Sequence, residues 1–205
     1  MSTIRNLTEE MDRKLARKEV GMKKISLFLA EGFEEVEALT VVDLARRAGI
    51  EVTMVSITGK KEVEGARKIR VLADALYEEA DLDSADMLVL PGGMPGYKNL
   101  EAFQPLMERA EKAVEQGIYV AAVCGAPTTL GKRGFYQGKK ACCYPGMEGE
   151  LTGAVVSYDK VCVDGKRITS RGVGTTMDFA LTIIGELTSR ENAEKIAESV
   201  VYSWK

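Results

Sequence analysis

Apolar residues along this chain fall either in short unbroken runs or at helical spacing. Lys24 to Ala30 (KISLFLA), Glu51 to Ile57 (EVTMVSI), Met87 to Leu90 and Ile118 to Val123 are such runs. Their β-branched and large apolar content predicts strands buried on both faces of a parallel sheet. A helix is predicted from about Glu35 to Ala48, ended by Gly49, so strand, helix and strand form a parallel crossover unit. A second helix is expected over Phe103 to Gln116, with Phe103, Leu106, Ala110 and Val114 on one face and Gly117 as its stop. Gly59 to Ala66 is polar and expected to be exposed, while Ile69 to Leu72 suits a short strand. Lys140 to Cys143, Ala154 to Ser157, Val161 to Val163 and Arg167 to Thr169 are further short strands. Asp164-Gly165 turns the last two into a hairpin. The loop from Gly172 to Thr176 hands over to a helix bearing Phe179, Ala180, Ile183, Ile184 and Leu187. A final helix opens on a capping box, Thr188-Ser-Arg-Glu191, and buries Ala193, Ile196, Ala197 and Val200. This alternation predicts a single-domain, doubly wound α/β sandwich over residues 22–205. Residues 1–21 read as an appendage. Leu7, Met11 and Leu15, with the pairs Glu9–Arg13 and Glu10–Lys14, predict a short surface helix there.

The pattern breaks most informatively at Cys124. The run Ile118 to Val123 stops there, and Gly125, Ala126 and Pro127 follow before a helical turn. A side chain held on a sharp strand-to-helix turn needs small neighbours because the backbone crowds, and Ala122, Gly125 and Ala126 supply them. The arrangement is a nucleophile elbow with cysteine in the serine position. Pro127 fits the first helical turn, where its missing N–H costs nothing. Free N–H groups at Gly125 and Ala126, with a helix dipole behind them, would favour an anion. Such a site can lower a thiol pKa from about 8.5 into the range of roughly 3.5–7.5. A buried structural cysteine is the alternative.

Composition narrows the chemistry. Net charge is −3 with no basic cluster, which argues against a nucleic-acid partner. No apolar run approaches the ~18–20 residues of a membrane span, and no signal-peptide pattern opens the chain. Four cysteines, at 124, 142, 143 and 162, then read as reduced thiols in a cytoplasm. The chain contains no histidine, which excludes Ser-His-Asp and Cys-His mechanisms within one chain. It also removes the commonest zinc ligand, so no metal or other cofactor is expected. Any general acid or base must be a carboxylate, a tyrosine or a lysine.

Glu37 breaks a second local rule. It shares a helical stripe with Val41, Leu44 and Ala48, where a carboxylate is costly unless protonated or paired. Glu34 and Glu35 are expected to reach solvent. Strand one and the elbow strand both end at the carboxyl edge of the sheet, so Glu37 can meet Cys124 there. A protonated carboxyl would donate to a thiolate and could then shuttle a proton. A helix-start glutamate favoured by the dipole accounts for the same position without chemistry. Pro91-Gly92-Gly93 ends a third strand at this edge, and Gly93 could join Gly125 in an oxyanion hole. Cys142 and Cys143 point to opposite faces of their strand and are expected to be core or edge thiols. Ser170-Arg171-Gly172 could line the pocket, or Arg171 could pair with an acidic neighbour.

In order along the chain, AEGFEEVEALTVVDLARRAGIEV, LPGGMPGYKNL, AAVCGAPTTLG and ITSRGVGTTMDFAL resemble the DJ-1/ThiJ/PfpI superfamily, in particular its DJ-1 branch. The resemblance spans about Lys23 to Leu187 and implies a flavodoxin-like fold, a homodimer and a reactive elbow cysteine, Cys124. It implies a neighbouring protonated glutamate, Glu37, backbone donors at Gly93 and Gly125, and an arginine near the dimer interface and the site, Arg67. Members are similar to glutathione-independent glyoxalases (glyoxalase III-like, 2-oxoaldehyde to 2-hydroxy acid), to deglycases, to oxidative-stress sensors and to holdase chaperones. A third role, tied to thiamine biosynthesis, rests on the ThiJ label alone. PfpI-type proteases carry a histidine directly after the nucleophile, where this chain has Gly125. Many DJ-1 proteins carry a histidine before the following proline, where this chain has Tyr144 before Pro145. Those departures leave Glu37 as the leading acid/base of a cofactor-free enzyme acting on small reactive carbonyls. The runner-up is a non-enzymatic sensor whose Cys124 is oxidised to sulfinate.

Overall fold

The computed structural model describes residues 21–204, so the helix expected within residues 1–21 lies, but for its last residue, outside the described part. Five parallel strands form the centre of the sheet: β1 (Lys24–Leu29), β2 (Glu51–Ser56), β6 (Met87–Leu90), β7 (Tyr119–Val123) and β11 (Arg167–Ser170). A two-residue strand β5 (Ala75–Leu76) adds in parallel at one edge, and β10 (Val161–Asp164) pairs antiparallel with β11 at the other. The order is β10-β11-β7-β6-β1-β2-β5.

β1, β6 and β7 are largely apolar on both faces because helices cover both. On one side Ile25, Leu27 and Leu29 of β1 pack with α1 (Glu35–Arg47), α5 (Thr176–Leu187) and α6 (Arg190–Ser199). On the other, Phe28, Leu88, Leu90, Val120 and Ala122 pack against α2 (Gly96–Ala102), α3 (Gln104–Ala113) and α4 (Ala126–Gly131). The result is a doubly wound, flavodoxin-like α/β sandwich. From β1 the chain first winds outward through β2 to β5, then returns to place β6 and β7 on the other flank of β1. That reversal opens a crevice at the carboxyl ends of β1, β6 and β7, the place where such sheets bind ligands.

Several elements depart from their sequence-based expectation. The stretch expected to be merely polar, Gly59 to Ala66, contains β3 (Glu62–Glu64), which pairs antiparallel with β4 (Arg70–Leu72). This hairpin buries Val63 and caps the start of α1. Glu34 and Glu35, expected in solvent, are therefore buried, 8% and 3% exposed. Glu35 Oε1 accepts the N–H groups of Arg67 (2.7 Å) and Ile69 (3.4 Å) in the hairpin turn. Helix α2 was not expected, and α3 begins only after Phe103, with Pro105 in its first turn. Its fully buried stripe is consequently Leu106, Met107, Ala110 and Ala113, leaving Phe103 and Val114 at the margin. Helix α6 is capped one residue later than expected, by Ser189, whose hydroxyl accepts the Asn192 N–H at 3.1 Å. Two short pieces, β8 (Lys140–Ala141) and β9 (Val155–Val156), pair in parallel beside β10.

Candidate active site

Strand β7 ends at Val123, and the next residue, Cys124, takes φ of +64°, a left-handed conformation uncommon for a side-chain-bearing residue. Both backbone groups of Cys124 are satisfied across the crevice. Its N–H donates to the Ser170 carbonyl (3.1 Å), and its carbonyl accepts the Tyr144 N–H (2.8 Å). The turn is thus held by two neighbouring segments and aims a half-buried thiol at the carboxyl edge of the sheet. This is the strand-to-helix elbow that the small residues around Cys124 predict.

Glu37 projects from the first turn of α1 into the same point and is fully buried. Its Oε2 accepts the Gly92 N–H at 2.8 Å, its carboxyl faces Cys124 across Gly92, and its Oε1 has no hydrogen-bond partner among the described residues. Gly92, at the end of β6, was not singled out by sequence. The Pro-Gly-Gly run marked the turn, but only the fold decides which glycine faces the carboxyl. A Cβ on Gly92 would lie 2.6 Å from both Cys124 Cβ and Glu37 Oε2 and 3.1 Å from the sulfur. No side chain fits between the two groups. Gly93 and Gly125, both expected as backbone donors, line the same cavity as Cys124 and act against the rise of its thiol pKa.

The electrostatics run against one expectation. Burial and the nearby Glu37 charge push the Cys124 thiol up to about 12, against the pull of the Gly125 and Gly93 N–H groups. The expected lowering of the thiol pKa overlooked both burial and the carboxylate. Burial likewise raises Glu37 to about 7, with the Gly92 N–H opposing it and the charge of Glu34 adding to it. Glu37 is therefore the group of the pair that exchanges protons near neutrality. Ionised, it can take the thiol proton; protonated, it can donate to sulfur or to an oxygen bound there.

The pair opens into a cavity of about 680 Å³. Arg67 stands at its rim, 72% exposed at the side chain, with its guanidinium 3.8 Å from the Glu34 carboxylate. Tyr144 is half-exposed on another wall, and Arg171 lines the cavity while its guanidinium lies over the Tyr158 ring and 4.0 Å from Glu148. Both expectations for Arg171 hold together. Lys160 and Tyr97, not anticipated, also belong to the lining. Tyr97 also explains Gly125: a Cβ there would meet the Tyr97 ring at 2.8 Å, so the position that would carry a protease-like histidine is occupied. No group of His, Cys, Asp and Glu able to hold a metal occurs among the described residues.

The DJ-1/PfpI family model matches residues 23–186. Protein dj-1beta of Drosophila melanogaster is 34% identical over 184 residues, covering 89% of this chain and 98% of that protein. Protein DJ-1 homolog B of Arabidopsis thaliana is 35% identical over 87% of this chain, which spans only 41% of that longer protein. The glutathione-independent glyoxalase DJR-1.2 of Caenorhabditis elegans is 27% identical, over 81% of this chain and 89% of that protein. Among solved structures, oxidized Toxoplasma gondii DJ-1 superposes with a TM-score of 0.85 at 32% identity, covering 89% of this chain and all of that one.

The raised Glu37 pKa has a consequence for stability. Folded, Glu37 holds its proton up to about pH 7, whereas an ordinary glutamate gives it up near 4.5. Between those values the folded state carries more protons than the unfolded state, so stability falls as pH rises, and no further above about 7. The full effect is on the order of 3 kcal/mol. Urea unfolding of wild type and Glu37→Gln, followed across this interval, should show the variant gaining on wild type as pH rises. Parallel curves would mean that the Glu37 carboxyl titrates as it does in the unfolded chain.

Proposed function

The chain belongs to the DJ-1/PfpI family, and on that premise we propose that it is a cofactor-free enzyme converting small 2-oxoaldehydes to 2-hydroxy acids, with Cys124 as nucleophile and Glu37 as acid/base. The observation that carries this is the contact between a buried carboxyl with a pKa near 7 and a thiol on a strained elbow, both facing an open cavity. A glyoxalase among the relatives supports the substrate class. The Cys124 sulfur adds to the aldehyde carbon as Glu37 takes the thiol proton. Glu37 returns that proton to the new oxygen, giving a hemithioacetal. Ionised again, Glu37 removes the C–H proton of that carbon and delivers it to the neighbouring carbonyl carbon, while the hydroxyl proton passes to the former ketone oxygen, leaving a 2-hydroxy thioester. Water then releases the 2-hydroxy acid and restores the thiol. The Gly93 and Gly125 N–H groups, in the cavity wall beside Cys124, stabilise the oxyanion formed there. Arg67 and Tyr144 shape the cavity, with Tyr144 next in line as a proton donor. Four free thiols suit a reducing compartment, and we assign the chain to the cytoplasm.

A second role has its own support. A relative of the same fold was solved in an oxidized form, which favours a sensor whose Cys124 sulfur is oxidised. Glu37→Gln separates the two. A general acid–base group is worth about 10²–10⁴-fold in rate, so the variant should lose lactate formation from methylglyoxal by that order. Glutamine keeps a donor of similar shape, so peroxide should still modify Cys124. Retained turnover would mean another base; no turnover in wild type would favour the sensor.

We also propose a twofold dimer through α1 and the Arg67 turn. Val36, Ile69 and Leu72 are exposed there (47%, 53% and 71%). The bonds from the Arg67 and Ile69 N–H groups to Glu35 keep that turn beside the start of α1. Light scattering at micromolar concentration should give twice the chain mass, and Leu72→Lys should halve it. A single-chain mass for wild type would remove the dimer.

A further inference from the structure

Away from the cavity, the structure gathers thiols beside the sheet edge. Cys142 follows β8, and its N–H donates to Thr169 Oγ1 (2.9 Å) while its thiol donates to the Thr169 carbonyl (3.3 Å). Thr169 is the antiparallel partner of Cys162 on β10. Both cysteines therefore lie against one residue: paired side chains on adjacent strands share a face, so the Cys162 thiol stands on the same side of the sheet as the Thr169 side chain that Cys142 meets. The Ser157 hydroxyl donates to the nearby Asp159 carboxylate (2.9 Å), and the Lys140 ammonium adds its charge at Cys162, opposed by Asp159. The neighbouring Cys142 is the largest influence, and together these groups hold the Cys162 thiol below its ordinary value. The other three cysteines are all pushed up. Cys143 is not part of this cluster. It packs into the apolar layer under α2 to α4 and donates to the Tyr144 carbonyl at 3.5 Å.

We propose that Cys142 and Cys162 form a redox-active dithiol, distinct from Cys124, which hydrogen peroxide oxidises to an intramolecular disulfide. The Cys162 thiolate attacks one peroxide oxygen, the O–O bond breaks, and a sulfenic acid and hydroxide result. The Cys142 sulfur then attacks the Cys162 sulfur. Its proton leaves with the expelled hydroxyl as water. The two sulfurs lose two electrons, which the peroxide gains, so two thiols and one peroxide give one disulfide and two waters. The pair suits this division of roles, because both thiols meet the same threonine from neighbouring segments and one of them is favoured as the attacking thiolate. Cys142 and Cys162 are 0% and 2% exposed, but they lie at the edge of the sheet. β10 is the edge strand, and exposed Val155 and Val156 of β9 form the neighbouring surface. Peroxide is small enough to enter as that edge opens locally.

The full chain, treated folded with hydrogen peroxide, alkylated and digested with trypsin without reduction, tests this directly. Cleavage after Lys140, Lys160 and Lys166 leaves Cys142 and Cys143 in peptide 141–160 and Cys162 in peptide 161–166. The expected product is these two peptides joined, two hydrogens lighter than their sum and separated by dithiothreitol. It should form in wild type, in Cys124→Ala and in Cys143→Ser, and be absent from Cys142→Ser and Cys162→Ser, each checked for folding by circular dichroism. Formation in Cys124→Ala makes the result independent of the aldehyde chemistry proposed above. Recovery of both thiols alkylated, oxygen added to Cys162 without a cross-link, or a bridge through Cys143 or Cys124 would each overturn the proposal.

Discussion

The buried contact between the Glu37 carboxyl and the Cys124 sulfur is the constraint on which the carboxyl edge of this sheet depends. A carboxylate taken fully out of water is costly unless it is hydrogen-bonded or keeps its proton. Glu37 does both in part: the Gly92 N–H holds one oxygen, and burial raises its pKa to about 7. Meeting that requirement determines much around it. β1 and β6 must end side by side so that α1 and the Gly92 turn converge, and the residue between carboxyl and sulfur must lack a side chain. β7 must end one strand further along so that the elbow delivers Cys124 to the same point.

The elbow adds a second cost at the same place. Cys124 sits in the left-handed region, a conformation worth on the order of 1–3 kcal/mol of strain for a residue with a side chain. Its bonds to Ser170 and Tyr144 hold it there, tying β11 and the segment after β8 to the cavity. Strain, a buried carboxyl and two glycine N–H groups beside one thiol are poor choices for stability alone. They suit a site in which one proton moves between sulfur, carboxyl and a bound oxygen.

Much of this was legible in the sequence, for physical reasons that differ from part to part. The central strands are buried on both faces, so KISLFLA and Ile118 to Val123 appear as unbroken apolar runs. Cys124 was legible because an elbow needs small residues on either side of the nucleophile. Glu37 was legible because it interrupts an apolar stripe. What stayed hidden depends on contacts between distant segments. Burial of Glu34 and Glu35 requires the β3–β4 hairpin, whose single buried Val63 sits in a polar stretch. The role of Gly92 rather than Gly93 in holding the carboxyl depends on the angle at which β6 meets α1. The direction of the Cys124 pKa depends on burial that turn chemistry does not reveal. The Cys142–Cys162 pair was invisible because residues from two strands meet only across Thr169.

Infrared difference spectroscopy of wild type against Glu37→Gln in deuterated buffer measures the protonation of this one carboxyl most directly. If burial against Cys124 governs Glu37, the carboxylic-acid carbonyl band unique to wild type should persist well above pH 4.5 and disappear with a midpoint near 7. A band already lost with a midpoint near 4.5, the ordinary value, would contradict the account, because an ionised Glu37 would then carry no proton to trade with the sulfur at neutral pH.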